Sequence, residues 1–164
     1  MRLRSALTLV AFLVISFAVA ALGTVATISN VNGWYADADK VSWNPPNGIF
    51  GPVWTVLYTL MSVAAWLIWR ERARVNVRPA LATYVVQLVL NAIWTPIFFG
   101  LYPVAGPAAL WIGLAVILAL DVAVLLTMLR FWKVRHAPAL LLIPYWAWVL
   151  SATTLNAGLA VLNS

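Results

Sequence analysis

Long apolar runs alternate with short polar segments along the whole chain. A hydrocarbon layer about 30 Å thick requires roughly 20 helical residues, each rising about 1.5 Å. Five runs meet that length, at residues 5–28, 48–69, 79–100, 104–129 and 139–162. Backbone polar groups cannot stay unpaired in hydrocarbon, so each run is predicted to be a transmembrane helix. The pattern predicts an all-α membrane protein, a five-transmembrane-helix bundle that forms one domain over residues 1–164.

The first run has a second interpretation. Arg2 and Arg4 precede it, and the Ala-Val-Ala at residues 18–20 resembles the cleavage site of a secretory signal peptide. Cleavage would leave four spans. The apolar run is longer than the core of a typical signal peptide, which favours a retained first helix.

Basic residues are distributed unevenly between the ends of these runs. Nine of the ten Lys and Arg precede the first run or lie in the second and fourth connections, and Lys40 lies in the first connection. Cytoplasmic loops are enriched in Lys and Arg. The pattern therefore predicts a cytoplasmic N-terminus and a C-terminus outside. The basic clusters also suit contact with anionic membrane lipid, although topology alone explains them.

Composition agrees with a lipid environment and excludes several kinds of chemistry. The chain is 65% hydrophobic and 9% charged, whereas a soluble domain is about one quarter charged. It has no Cys and a single His, His136, so thiolate nucleophiles and His or Cys metal clusters are excluded. The net charge of +6 is divided among short clusters, which argues against a nucleic-acid partner. Nothing in the sequence independently indicates an enzyme, a metal site or a required cofactor.

The connection between the first two runs is rich in aromatic residues and proline. Residues 34–54 read WYADADKVSWNPPNGIFGPVW. The adjacent prolines fix two φ angles, so the segment loses little entropy when it adopts one shape. Trp34, Tyr35 and Trp43 are therefore predicted to lie over the mouth of the bundle as a lid. Taken singly, each of these aromatic residues also fits a belt at the membrane surface.

Polar and aromatic side chains recur at helical spacing within three of the predicted spans. The stripes are Gln87, Asn91, Trp94 and Phe98 in the third span, Tyr145, Trp148, Ala152 and Asn156 in the fifth, and Trp54 and Tyr58 in the second. Residues at this spacing share one helix face. Amides in hydrocarbon need partners, so these faces are predicted to point into the bundle and converge on a pocket. The alternative is a core in which the amides only join helices by hydrogen bonds.

These residue types suit a flat, apolar ligand with a partly polar edge. Trp and Tyr supply stacking faces, and Asn and Gln supply hydrogen bonds. Asp121 is the only acid deep within a span, which makes it a candidate for proton transfer. Alternatively, Asp121 is a structural group that is protonated or hydrogen-bonded. Pro96 and Pro144 are predicted to kink or loosen the third and fifth helices.

Four blocks of the sequence occur in an order that a known family shares. They are WYADADKVSWNPP, FGPVWTVLYTLMSVAAWLIW, YVVQLVLNAIWTPIFFG and LLIPYWAWVLSATTLN, and they extend over nearly the whole chain. In these blocks the chain resembles the translocator protein family, whose members are called tryptophan-rich sensory proteins (TspO) in bacteria and peripheral-type benzodiazepine receptors in mitochondria. The resemblance implies a membrane homodimer of five-helix bundles with a pocket closed by the first loop. It implies ligands such as protoporphyrin IX, sterols, isoquinoline carboxamides and benzodiazepines.

The resemblance also implies roles for individual residues. Tyr35 and Trp43 correspond to the lid, and Trp54, Asn91, Trp148 and Ala152 correspond to the pocket. Some bacterial relatives break down protoporphyrin in light, and there the Trp matching Trp54 is involved, with the fifth-helix Trp nearby. Together with the stripes, the expected ligand-binding set is Tyr35, Trp43, Trp54, Tyr58, Gln87, Asn91, Trp94, Tyr145, Trp148 and Ala152.

One departure from the family pattern concerns sterols. Members that bind cholesterol strongly carry a Tyr and an Arg soon after the final ATTLN, whereas here AGLAVLNS follows. A specific sterol role is therefore not expected.

The expected function is tetrapyrrole binding in a bacterial cell membrane. The protein would act as a sensor, scavenger or transporter in porphyrin homeostasis and stress response, with porphyrin as ligand and no required cofactor. Two alternatives stay open. One is an enzyme that degrades protoporphyrin in light with the help of Trp54 and Trp148, and the other is a proton-coupled transporter that uses Asp121.

Overall fold

The computed structural model describes residues 2–164, and in this range it contains helices and turns but no strand. The α-helices are α1 (Arg2–Ile28), α2 (Trp34–Asp37), α3 (Phe50–Arg70), α4 (Arg78–Thr95), α5 (Tyr102–Ala105), α6 (Pro107–Val134), α7 (His136–Leu140) and α8 (Ile143–Leu162). Short 3₁₀-helices occupy Asn47–Ile49 and Glu71–Ala73, and a π-helical turn occupies Pro96–Gly100. The all-α fold predicted from the apolar runs is confirmed.

Five helical segments are long and apolar enough to cross a membrane. They are Leu3–Ile28, Asn47–Ala73, Arg78–Gly100, Pro107–Val134 and His136–Leu162. Their 23 to 28 residues extend about 35–42 Å, more than the hydrocarbon core of about 30 Å. The number of predicted spans is therefore confirmed, and each lies within a few residues of its expected limits.

Pro96 and Pro144 both lie where the helices of these spans are irregular. After Pro96 the helix widens, and the N–H of Leu101 donates to the carbonyl of Pro96, five residues back, at 3.1 Å. Pro144 lies in the first turn of α8, where backbone N–H groups have no partner within the helix. Its missing N–H therefore costs no hydrogen bond. A turn at residues 141–142 separates α7 from α8, so the fifth span is built from two helices.

The helices pack around α6, which contacts both α4 and α8, while α1 packs on α3 and α4. Large buried side chains such as Tyr84, Tyr145 and Phe131 fill the space between them. The helix α1 differs from the others, because Ser16 is its one buried side chain between residues 3 and 28. Most of its apolar side chains face outward, as is usual for a helix whose surroundings are lipid.

The two ends of the bundle differ in charge. At one end, the Arg135 guanidinium donates to a Glu71 carboxylate oxygen at 3.3 Å, and the Trp66 indole donates to the Ser5 carbonyl at 2.9 Å. These contacts bring together the start of α1, the α3–α4 turn and the α6–α7 turn, and nine of the ten basic residues lie in these segments or in the adjoining helix ends. This basic end lies opposite the long connection between α1 and α3. Which end faces the cytoplasm stays a prediction.

Candidate functional site: a cavity beneath the lid

The connection between α1 and α3, residues 29–49, covers one end of the bundle and is here called the lid. Its first half is fixed to the π-helical turn that follows α4 and to α5. The Trp34 indole donates to the Phe99 carbonyl at 2.9 Å, and its ring stacks on Tyr102 at 3.9 Å between centroids. Tyr35 is 3% exposed, and its hydroxyl donates to the Asn44 side-chain oxygen at 2.8 Å, which joins the two halves of the lid.

The second half of the lid is fixed to α8. The backbone N–H of Asp39 donates to the Asn163 side-chain oxygen at 3.0 Å, and the Asn163 amide donates back to the Asp39 carbonyl at 2.9 Å. The Trp43 indole donates to the Thr154 hydroxyl at 3.2 Å. Both halves of the lid are thus attached to helices that pack on α6.

A cavity of about 590 Å³ lies beneath the lid, between the adjacent ends of α1 and α3. Its lining comprises Phe17, Ala20, Ala21, Gly23, Thr24, Thr27, Ile28, Val31, Tyr35, Asn47, Phe50, Gly51, Trp54, Thr55, Tyr58, Thr95 and Phe99. The volume falls within the range of roughly 300–1,000 Å³ that is usual for small-molecule sites. The cavity is therefore large enough for a multi-ring ligand.

The lining is apolar and aromatic with a few neutral polar groups. Trp54 and Tyr58 lie one above the other on α3, with ring centroids 5.3 Å apart. Thr24 and Thr27 donate their hydroxyls to carbonyls one turn back in α1, at 2.9 and 2.8 Å, and so present mainly methyl groups and acceptor oxygens. No formal charge occurs among the described residues of the lining. The site suits a flat apolar molecule whose charged groups remain outside.

Three of the sequence-predicted site residues, Tyr35, Trp54 and Tyr58, lie in the lining. The other predicted residues lie elsewhere. Trp43 is 61% exposed and is bonded to Thr154 of α8 rather than lining the cavity. Trp148 is half-buried, and its ring centroid lies 5.8 Å from that of Phe50, which lines the cavity. Trp148 therefore contacts the cavity wall but does not line the cavity itself.

Gln87, Asn91 and Tyr145 form a hydrogen-bonded core beneath the cavity. The Tyr58 hydroxyl donates to the Asn91 oxygen at 2.6 Å, and the Asn91 amide donates to the Tyr145 hydroxyl at 3.2 Å. The Tyr145 hydroxyl donates in turn to the Gln87 oxygen at 2.8 Å. Trp54 lies above this group, with its ring centroid 6.3 Å from that of Tyr145. The predicted stripes of α4 and α8 therefore meet, but they bond to each other below the cavity floor.

Trp94 and Ala152 also belong to the packed core. The Trp94 indole donates to the Asn156 oxygen at 3.1 Å, and the Asn156 amide donates to the Leu110 carbonyl at 2.8 Å. Ala152 is buried on α8, one turn before Asn156. These contacts connect α4, α6 and α8.

The stripe on α1 is the part of the site that sequence reasoning missed. Phe17, Ala21, Thr24 and Ile28 recur at helical spacing and line the cavity. A uniformly apolar run gives no contrast between faces, so periodicity could not separate this face from the rest of the helix. The available signal was the concentration of Ala, Gly and Thr between residues 20 and 27.

Asp121 lies outside the cavity lining, between α6 and α8. One of its carboxylate oxygens accepts a hydrogen bond from the Thr153 hydroxyl at 2.7 Å, while the other is buried without a partner. Across residues 2–164, the structure brings together no group of three His, Cys, Asp or Glu side chains that could hold a metal. The Asp121 carboxyl is thus a polar group within the bundle that is hydrogen-bonded to Thr153 and belongs to no metal-binding group among the described side chains.

The helix pattern, the lid and the aromatic cavity agree with one known family. Residues 11–162 match the TspO/MBR family. This chain belongs to the TspO/MBR family. The match confirms the resemblance seen in the four sequence blocks. Because the chain also has five apolar helices of spanning length, it is a multi-pass membrane protein.

Relatives in the TspO/MBR family resemble the chain over most of its length. It is 40% identical over 159 residues to "Tryptophan-rich protein TspO" from Archaeoglobus fulgidus, with 96% of this chain and 98% of that protein covered. It is 36% identical over 145 residues to "Tryptophan-rich sensory protein" from Cereibacter sphaeroides, covering 88% and 86%. It is 38% identical over 125 residues to human "Translocator protein", covering 75% and 70%.

Proposed function

We propose that the protein binds a tetrapyrrole of the protoporphyrin IX type in the cavity beneath the lid. It acts in porphyrin homeostasis and stress response as a sensor, scavenger or transporter. The observation that carries this proposal is the 590 Å³ cavity with the rings of Trp54 and Tyr58 in its wall. The names of the relatives, which refer to sensing and translocation, support the same range of roles.

The chemistry of the lining supports a flat ligand with its charges at the rim. A porphyrin ring offers a large apolar face, which the indole of Trp54 and the phenol of Tyr58 can contact by offset stacking. Carboxylate side groups would be costly to bury among the uncharged lining residues, so they remain at the mouth of the cavity in contact with water. The Lys40 ammonium, 5.1 Å from the Tyr35 ring centroid, supplies a cation within the lid.

Removal of the Trp54 ring tests the proposal. Purified protein in detergent is titrated with protoporphyrin IX, and the absorption band of the porphyrin reports binding. Trp54→Ala should weaken binding about tenfold or more, because it removes a large stacking surface from the wall. Trp132→Ala is the matched control, since Trp132 is half exposed at the basic end and stacks on His136. Equal affinities of the two variants would rule out this pocket.

A second candidate function is light-dependent breakdown of the bound porphyrin with dioxygen as the oxidant. The observation that favours it is the position of Trp54 in the wall, close to Tyr58 and Tyr145, because electron-rich rings next to a photoexcited porphyrin can exchange electrons with it. Trp148, which contacts the wall through Phe50, is the other candidate. Illuminated turnover assays distinguish the two functions. A defined product formed in several turnovers indicates catalysis, whereas bleaching of one porphyrin per protein indicates binding alone.

Topology and assembly form part of the same proposal. The basic end is assigned to the cytoplasm of a bacterial-type cell, which leaves the lid and the cavity at the outer face of the membrane. A homodimer is the expected assembly. Labelling of single cysteines introduced at exposed residues of the lid and of the α3–α4 turn tests the orientation, because only outer positions react with an impermeant reagent in intact cells.

A further inference from the structure

The cavity lies between α1 and α3, and several of its lining residues on these two helices are exposed. Four lining residues with small side chains are exposed there: Ala21 and Thr24 on α1, and Gly51 and Thr55 on α3. A Cβ atom added to Gly51 would meet no other atom within 4 Å, which shows how open this part of the cavity is. We call these four residues the portal. They form a gap between two neighbouring spans, so the gap faces the surroundings of the bundle.

The portal lies near the boundary between lipid head groups and acyl chains. The first span has 26 residues and is about 39 Å long, so each end projects about 4–5 Å beyond a 30 Å hydrocarbon core. Thr24 precedes the end of α1 by four residues, which places it about 6 Å along the axis from Ile28. On α3, Gly51 lies four residues and Thr55 eight residues after the start of the second span at Asn47, so the gap extends from this boundary into the acyl chains. A molecule dissolved in the outer part of the bilayer would therefore meet the gap directly.

The lid, in contrast, is held closed by close packing as well as by hydrogen bonds. Val41 lies against Gly158 of α8, and a Cβ atom added to Gly158 would overlap Cγ1 of Val41. The absence of a side chain at Gly158 thus leaves room for the side chain of Val41. Together with the hydrogen bonds to Asn163, Thr154 and Phe99, this contact anchors the lid on both sides. Opening the lid would break all of these contacts at once.

From the open side and the anchored lid, we infer that the ligand enters and leaves through the portal, from the bilayer, while the lid stays closed. The inference rests on the proposed function for the identity of the ligand. The class of ligand is a flat amphiphile that partitions into the membrane. Its ring system passes between α1 and α3, and its charged edge stays at the level of the head groups.

A disulfide between the lid and α8 tests the inference directly. An ideal Cβ at Gly158 lies 3.6 Å from the Cβ of Val41, within the range of about 3.5–4.5 Å found in disulfides. The natural chain has no cysteine, so Val41→Cys/Gly158→Cys can form only this intramolecular bridge. Protoporphyrin IX is supplied in phosphatidylcholine vesicles, and its transfer to protein in nanodiscs is followed by fluorescence. The oxidised variant should bind and release the porphyrin at the same rates as its reduced form.

Loss of exchange in the oxidised variant, with recovery on adding reductant, would overturn the inference and make the lid the gate. The single variants Val41→Cys and Gly158→Cys control for the substitutions themselves, because neither can form the bridge. If unmodified protein fails to bind protoporphyrin IX at equilibrium, the proposed function is wrong. If the unmodified protein binds protoporphyrin IX but the oxidised variant cannot exchange it, only the inferred entry through the portal is wrong.

A bulky residue in the portal provides an independent test. Thr24→Trp should slow both association and dissociation several-fold, because an indole would fill the gap between α1 and α3. Leu22→Trp is the matched control, since Leu22 is exposed on the same helix outside the lining. Equal exchange rates in the two variants would contradict the portal even if the disulfide variant failed to fold.

Discussion

The hydroxyl of Tyr58 donates a hydrogen bond of 2.6 Å to the side-chain oxygen of Asn91. Because Tyr58 also lines the cavity, this bond joins the wall of the candidate site to the polar core beneath it. Asn91 donates onward to Tyr145, so the network connects α3, α4 and α8. The position of the aromatic wall therefore depends on an amide that does not line the cavity.

Asn91→Ala should destabilise the bundle and also weaken porphyrin binding. The substitution leaves the buried Tyr58 hydroxyl without its acceptor, and a buried polar group without a partner costs about 1–3 kcal/mol. Tyr58 would then be free to turn, which changes the wall of the cavity. Thermal unfolding in detergent and a protoporphyrin titration measure the two effects. The control is Asn32→Ala, on the exposed part of the lid, and an Asn91→Ala protein as stable as this control would contradict the role of the network.

Gly113→Ala should lower the free energy of unfolding. A Cβ at this position would lie 3.0 Å from the Asn156 oxygen, and Asn156 is held in place by Trp94 and by the Leu110 carbonyl. Overpacking of this kind typically costs about 1–3 kcal/mol. Gly100→Ala is the matched control, because a Cβ there meets nothing within 4 Å. Equal stabilities of the two alanine variants would show that the α6–α8 contact is less tight than the structure indicates.

Stability should fall at high pH partly through Tyr35 in the lid. Burial raises the pKa of the Tyr35 hydroxyl above its ordinary value of 10.0, so the folded lid favours the neutral form that donates to Asn44. The folded pKa exceeds the unfolded one. This stabilisation is therefore complete below about pH 10 and decreases as the pH rises towards the folded pKa.

Tyr35→Phe isolates this contribution, because phenylalanine has no hydroxyl to titrate. Unfolding temperatures are measured between about pH 8 and about pH 11 for both proteins. The loss of stability across this interval should be larger for the unmodified protein. Parallel curves would mean that the Tyr35 hydroxyl is not buried in solution.

Asp121→Asn should leave porphyrin binding unchanged, because Asp121 lies between α6 and α8 and outside the cavity lining. Asparagine keeps an oxygen that can accept the hydrogen bond from the Thr153 hydroxyl. The proton-coupled alternative makes a different prediction for transport, since loss of the carboxyl should abolish any pH-dependent flux in proteoliposomes. Thr153→Val serves as a control that removes the hydrogen bond but keeps the acid. Unaltered flux in Asp121→Asn would make Asp121 a structural group.

Much of the fold followed from local patterns. The apolar runs predicted the five spans, and the spacing of Gln87, Asn91, Trp94 and Phe98 predicted a face that is indeed buried. The concentration of Trp, Tyr and Pro after the first run predicted a segment with one shape, and residues 29–49 do form a compact lid. Each of these features depends on residues close together in the chain, so the sequence contains the information.

The location of the cavity could not be derived in the same way. The sequence suggested that the stripes of the second, third and fifth spans would surround an empty space. Instead, the amides of Gln87 and Asn91 reach the hydroxyls of Tyr58 and Tyr145 and close the centre of the bundle. Hydrogen-bond partners from different helices are chosen by distance and angle after packing, and helical spacing alone does not contain that information.

The sequence by itself determined that the chain is a five-helix membrane protein of the TspO/MBR family with an aromatic lid. Hydrophobicity and helical geometry impose these features residue by residue. Only the tertiary structure decided that the cavity lies between α1 and α3, with an open side formed by Ala21, Thr24, Gly51 and Thr55. A cavity is the space that packed side chains leave unfilled, so it depends on the positions of all its neighbours together.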